Sequence, residues 1–233
     1  IDSSDELKSM DLSSVDHVLI HSYSAGKHGK NPQVLLVSPS SKVVYSLDLS
    51  KLDTGEVQEV LEPVLSKEAI PKIGYDIKST IKVAYEIGCE FSGVGHDVLV
   101  GAFLLNAIRR EQTLTELASA DLGYEGSDFE NLSPEEVINR APEILAIIRG
   151  LYVAQDEELR KLDKLHELAQ TVEWPVIQVL AAMEYQGIEL DTRYLKNMSV
   201  ELSDQISDVE QQIYGYADQE FNVGSPSQLA EIL

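Results

Sequence analysis

Short runs of β-branched and aliphatic residues come first along the chain: His17 to His21 (HVLIH), Gln33 to Ser38 (QVLLVS) and Lys42 to Leu49 (KVVYSLDL). Turn-forming stretches at 25–32 and 39–41 separate them, so the three runs predict an antiparallel meander. The period then changes. Gly55 to Leu65 is helical, Lys72 to Tyr75 is one more short strand, and Ser79 to Ile87 is helical again. From Asp97 onward nearly everything has helical period. Val98 to Ile108 is apolar almost all round and is expected to be buried. Thr113-Leu114-Thr115-Glu116 and Ser133-Pro134-Glu135-Glu136 are capping boxes, each opening a helix. A long helix is expected from about Glu143 through Ala169, with Pro175 opening the next. Asp191 caps a last one through about Tyr214, after which Gly215 and Gly224 break the pattern. The class these elements predict is α/β, a mixed sheet flanked by helices and followed by an all-helical extension.

Composition narrows the function classes. The 233 residues are 43% hydrophobic and 25% charged, enough to bury a sizeable core. Forty acids against eighteen Lys and Arg give a formal charge of −22. That argues against a free-standing nucleic-acid binder and against a polybasic membrane-surface protein. No apolar run approaches the roughly 20 residues of a membrane span. The single cysteine, Cys89, excludes an internal disulfide framework and fits a reducing compartment. It lies in an apolar stretch with no cation beside it, as a buried inert thiol would. The chain begins Ile1-Asp2-Ser3 and stops within a helical pattern at Leu233, as expected of a piece of something longer. No phosphate loop, nucleophile elbow or His-Glu-x-x-His is present, and the five histidines form no i, i+4 pair.

Three segments carry chemical information together. Ile73-Gly74-Tyr75-Asp76-Ile77-Lys78 follows a strand and opens a helix. His96-Asp97-Val98 and the apolar run after it come about twenty residues later, and Leu151-Tyr152-Val153-Ala154-Gln155-Asp156 lies inside the long helix. In this order they resemble the second and third motifs of the DEDD-type 3′–5′ exonuclease domain of family-A DNA polymerases, over about Val15 to Leu168. Further on, the stretch from Glu173-Trp174-Pro175 to Gly187-Ile188-Glu189-Leu190-Asp191 is similar to the approach to that family's polymerase domain. Phe221-Asn222-Val223-Gly224-Ser225-Pro226-Ser227-Gln228-Leu229 resembles the segment where its thumb begins. The resemblance implies a ribonuclease H-like exonuclease domain at 1–168 and the start of a polymerase domain at 169–233. It also implies a parent that binds DNA and uses Mg²⁺ in replication and repair.

Exonucleases of this family hydrolyse a phosphodiester with two divalent metals about 4 Å apart, which need several converging carboxylates. The resemblance places those ligands on an Asp-x-Glu ending the first strand, an Asp in the second motif and an Asp in the third, with a Tyr four residues before the last. Here His21 and Tyr23 stand in the first motif and Thr80 in the second, while Tyr152 and Asp156 are retained in the third. Asp97 matches a supporting position. No carboxylate occurs between His17 and Ser46 to rescue the first motif. Glu157 and Glu158 point about 100° apart around the helix and cannot simply stand in for Asp156. The expectation is a degenerate, structural exonuclease-like domain with no catalytic or metal-binding residue and no cofactor of its own. The competing expectation is an active nuclease with a rearranged site at Asp156, Asp76 and Glu157. A third is an interaction module, motivated by the acidic loop at Glu125 to Glu130.

Tyr23, Tyr75 and Tyr152 are expected near the old cleft by analogy, with Lys27, Lys30, Lys72 and Lys78 the only nearby bases, so single-strand binding should be weak. Residues 1–166 carry 28 acids and 16 bases, and 167–233 carry 12 acids and 2 bases. The DNA-gripping surfaces are therefore expected to lie mainly beyond Leu233. The remaining expectations are a monomer, a cytoplasmic location and no membrane partner.

Overall fold

The computed structural model describes residues 1–12, 15–26, 29–110 and 112–233. A short helix α1 (Ser4–Lys8) precedes the meander β1 (Val18–Ser24), β2 (Pro32–Ser40) and β3 (Val43–Asp48). Helix α2 (Thr54–Leu65), capped by the Asp53 side chain, leads to β4 (Lys72–Gly74), α3 (Ile77–Glu86) and β5 (Val94–Asp97). The strands form one sheet in the order β3-β2-β1-β4-β5. β2 is antiparallel to both β1 and β3, and β4 and β5 continue parallel to β1. This is the ribonuclease H-like arrangement expected from sequence.

Alternation along β1 builds two cores. Val18 and Ile20 face one, where Leu61 of α2 and Ile81 of α3 pack. Leu19 faces the other, against α4 (Val98–Leu105), α5 (Leu114–Leu122), α6 (Pro134–Asn139) and α7 (Ala141–Arg160). Both expected capping boxes are formed, at Thr113/Glu116 and Ser133/Glu136.

Several elements depart from the periodicity. β5 has no apolar run of its own and exists because β4 pairs with it, His96 standing opposite Ile73. The apolar helix expected from Val98 to Ile108 ends at Leu105 and is not buried all round: Phe103 is 58% exposed and Ile108 90%. Val98 and Ala102 pack on the α7 side and Val100, Leu104 and Leu105 against the other core, which leaves Phe103 outward; composition alone does not distinguish this from burial all round. The long helix expected from Glu143 breaks where Leu162 leaves helical backbone space (φ −117°, ψ 72°). Helix α8 (Asp163–Leu168) and a π-helical turn (Ala169–Glu173) then lead into α9 (Trp174–Gln186).

The first compact unit runs through α9, from Ile1 to Gln186. Ala169, Trp174, Ile177 and Ala181 all belong to the core beneath α3, so residues just beyond Leu168 pack with the sheet. The second unit, Gly187–Leu233, contains α10 (Thr192–Ala217) and α11 (Pro226–Ile232). Asp191 caps α10 by accepting from Tyr194 N at 2.8 Å. Gly215 does not end this helix, which continues to Ala217 and stops at the left-handed Asp218 (φ 53°). Leu195, Met198, Leu202 and Val209 of α10 are exposed. Among the described residues no helix is long and apolar enough to cross a membrane.

Helix α9 is fastened to α3 by charge. Glu184 accepts from Lys78 Nζ at 2.7 Å and from Lys82 Nζ at 2.6 Å, and the Lys82 side chain is only 5% exposed. The two ammonium groups, Lys78 first, hold the Glu184 carboxyl down at about 2. Removing the carboxylate would leave a buried lysine uncompensated, which is costly. Glu184→Gln is therefore expected to lower the unfolding free energy by about 2 kcal/mol near neutral pH, after allowance for the partial exposure of Glu184. Because the folded value lies below the ordinary 4.5, this contribution is present above that value and is lost as pH falls towards 2. Chemical denaturation of both proteins at pH 7 and pH 3 checks it: the gap between them should narrow at pH 3.

Candidate functional site

The cleft expected from the motifs lies where β1 ends beside β4 and β5. Strand β1 continues past His21 to Ser24, so the first-motif positions are strand residues with alternating faces. His21 and Tyr23 share the face of Leu19, the side of α7, and Tyr23, Tyr75 and Tyr152 all pack on that core. Ser22 points the other way, where its hydroxyl meets Thr80 Oγ1 at 3.0 Å. Thr80 is buried on α3. The second-motif position is thus tied to the sheet face opposite His21 and Tyr23.

His21 sits 6.1 Å from the Tyr75 ring, and its Nδ1 is buried without a hydrogen-bond partner among the described residues. Burial pushes the imidazole below its ordinary value, against the opposing pull of Asp76. Tyr75 spans the cleft edge, donating its hydroxyl to the Gln112 carbonyl at 2.8 Å.

The third motif is arranged by α7. Tyr152 meets the His96 ring edge-on at 5.1 Å, and burial raises its phenol. Asp156, the one retained carboxylate, accepts from Arg160 Nε at 2.8 Å one turn further along the helix. Between them Gln155 turns inward: its carbonyl accepts from His96 Nε2 at 2.9 Å and its amide donates to the Val98 carbonyl at 3.0 Å. Gly101 makes room for this pair, since a Cβ there would collide with Gln155 and His96.

Asp97 holds the cleft edge together. Its carboxylate accepts from Ile77 N at 2.7 Å, Leu99 N at 2.9 Å and Asp76 N at 3.2 Å. It therefore caps α4 and binds the start of α3, the supporting place its motif implied. Asp76 stands beside it in left-handed backbone (φ 48°) and caps α3, accepting from Ser79 Oγ at 2.6 Å.

These residues do not fit a pair of divalent ions. Such ions need several convergent carboxylates. Here the one family carboxylate is held by a guanidinium, and Thr80 is directed to the other sheet face. The acids that might substitute are engaged elsewhere. Asp76 caps α3, and Glu157 pairs with Lys161 at 3.2 Å. Among the described residues no three His, Cys, Asp or Glu side chains gather in a metal-holding group.

The bases expected beside the cleft need correction. Lys72 is fully buried on β4 and donates to the Lys67 carbonyl at 2.7 Å, with its ammonium pushed down to about 8 by burial. Lys78 is bound to Glu184 and Lys30 to Glu86, while Lys27 lies outside the described residues. Cys89 is buried, as expected, and burial pushes its thiol up to about 12. Three residues that the motif reading passed over, Ser22, Gln155 and Arg160, decide the local geometry. Arg160 had a signal in its i, i+4 spacing from Asp156. Ser22 and Gln155 had none, because their partners are remote in sequence.

No family profile matches the chain. DNA polymerase I of Bacillus caldotenax is 32% identical over 183 residues, covering 72% of this chain and 20% of that relative. The chain is similar to DNA polymerase I over about three quarters of its length. DNA polymerase I of Pseudomonas aeruginosa is 29% identical over 198 residues, covering 78% of the chain and 22% of the relative. The chain thus spans about a fifth of the length of these relatives. Among solved structures, the POL domain of Pol1 from M. smegmatis in complex with DNA primer-template and dNTP is similar, with a TM-score of 0.79 and 26% identity. The match covers 99% of this chain and 39% of that one. RNase D of Trypanosoma brucei, at 15% identity and TM-score 0.54 over 65% of the chain, shares the fold.

Burial is the first cause that pushes the Asp97 carboxyl up to about 7, and Asp76 adds to it. Its folded value lies above the ordinary 3.8, so its contribution to stability is present below about pH 4 and is lost as pH rises through 7. Relative to Asp97→Asn, the native protein is expected to lose roughly 2 kcal/mol between pH 5 and pH 8. Urea titrations of both proteins at the two pH values check this; a constant difference would contradict it.

Proposed function

We propose that this chain is the exonuclease-like part of a DNA polymerase I, at about 1–168, followed by the beginning of the polymerase domain at 169–233. In this reading the exonuclease-like domain has lost catalysis and acts as a rigid support for the polymerase domain in DNA replication and repair. The observation that carries it is the Asp156–Arg160 ion pair. The one retained ligand position already has a cation, and that cation belongs to the protein. The Ser22–Thr80 hydrogen bond supports it further, because it occupies the second-motif position with a neutral contact between α3 and β1.

The cleft side chains then serve packing. Tyr152, His96 and Trp174 form an aromatic series, with His96 and Trp174 4.8 Å apart. Divalent metal, Mg²⁺ by the family resemblance, belongs to the polymerase chemistry of the parent, as does the grip on DNA. With Lys30, Lys72 and Lys78 committed to other partners, the cleft has little positive charge to offer a single strand. The protein is read as a cytoplasmic monomer.

The experiment is incubation with 3′-labelled single-stranded DNA and Mg²⁺ or Mn²⁺. No metal-dependent release of nucleotides is expected from the native chain or from Arg160→Ala, which frees Asp156. Clear release by the native chain would overturn the reading. Release by the Arg160→Ala variant alone would identify the guanidinium as the block.

A further inference from the structure

Nine of the eighteen Lys and Arg residues have carboxylate partners: Lys8, Lys30, Lys51, Lys78, Lys82, Arg109, Arg140, Arg160 and Lys161. The side chains of Lys42 and Arg149 have no ion pair or hydrogen bond among the described residues, and both line one groove. It lies between the β2–β3 hairpin and α7, along 142–157 of that helix, and is open to solvent, with a volume of about 850 Å³. Its floor is apolar, with Leu145 buried and Val153 left 57% exposed, and Val44 forms the strand wall. The charge of Arg149 reaches beyond the groove: after burial, it is the next cause that pushes His17 below its ordinary value.

We propose that this groove docks a short acidic, amphipathic segment of a partner protein. An apolar side chain of that segment lies on Leu145 and Val153, and its carboxylates meet Lys42 and Arg149. Complementarity of charge favours this occupant, since two unpartnered cations flank an apolar floor in a protein whose net charge is −22. A nucleic-acid strand is disfavoured because, among the described residues, no aromatic ring lines the groove to stack a base. The groove is built from β2, β3 and α7; Glu157 also lines it, paired with Lys161 at 3.2 Å, and neither His21 nor Asp156 is among its lining residues, so the proposal does not rest on the state of the exonuclease-like site.

The probe is a synthetic blocked dodecapeptide of alternating Leu and Glu pairs, titrated into the ¹⁵N-labelled chain at about 50 mM salt. Expected are shifts confined to the residues of the groove, and affinity reduced roughly tenfold by Arg149→Glu. Lys42→Glu, at an exposed hairpin position, should act in the same direction without disturbing the fold. The doubly reversed protein should instead prefer the peptide with Lys in place of Glu. Absence of groove shifts, affinity unchanged by both reversals, or tighter binding of a twelve-nucleotide oligothymidylate at the groove would each overturn the proposal.

Discussion

A single buried carboxylate sets the geometry on which the cleft depends. Asp97 ends β5 and accepts backbone N–H groups from the starts of two helices, α3 and α4. Helix N-termini leave several donors without intrahelical partners, and a buried end needs acceptors from elsewhere. One side chain supplies them for both helices, so the directions of α3 and α4 are coupled to the end of the parallel strand. The cleft is thus framed by β1, which carries His21 and Tyr23, by these two helices and by α7, which packs on α4.

The same economy of polar contacts runs beneath α4. Gly101 lets α7 approach closely enough for Gln155 to bridge His96 and the Val98 carbonyl. Trp174 then closes the layer from the other side. The helices of this ribonuclease H-like sheet are held at the strand ends by the contacts around His96 and Gln155. Neutral hydrogen bonds and aromatic packing do this here without the mutual repulsion of clustered acids. Arg160 offsets the charge of Asp156 by pairing with it.

Docking of α9 illustrates how electrostatics and burial cooperate. Lys82 lies almost wholly inside the protein, a position a lysine occupies only with a partner. Glu184 comes from a helix more than a hundred positions further along the chain, and the pair makes α9 part of the first compact unit. The polymerase-like strings at Trp174 to Gln186 therefore pack structurally with the sheet that precedes them.

Much of this was legible in the sequence. The meander, the two capping boxes and the Asp191 cap are local patterns, governed largely by near neighbours, and each occurs where its residues predict. The identity of the side chains at 21, 23, 80 and 156 was enough to see that carboxylates are missing. Which way those side chains point was not. Thr80 faces Ser22 because strand alternation and helix packing direct it there. Lys72 reads as a free base in the sequence and is buried, and α4 reads as buried all round and leaves Phe103 exposed. Local periodicity follows from backbone geometry and is written in neighbouring residues, whereas burial and charge pairing depend on surfaces brought together from distant parts of the chain, and only the assembled tertiary structure decides them.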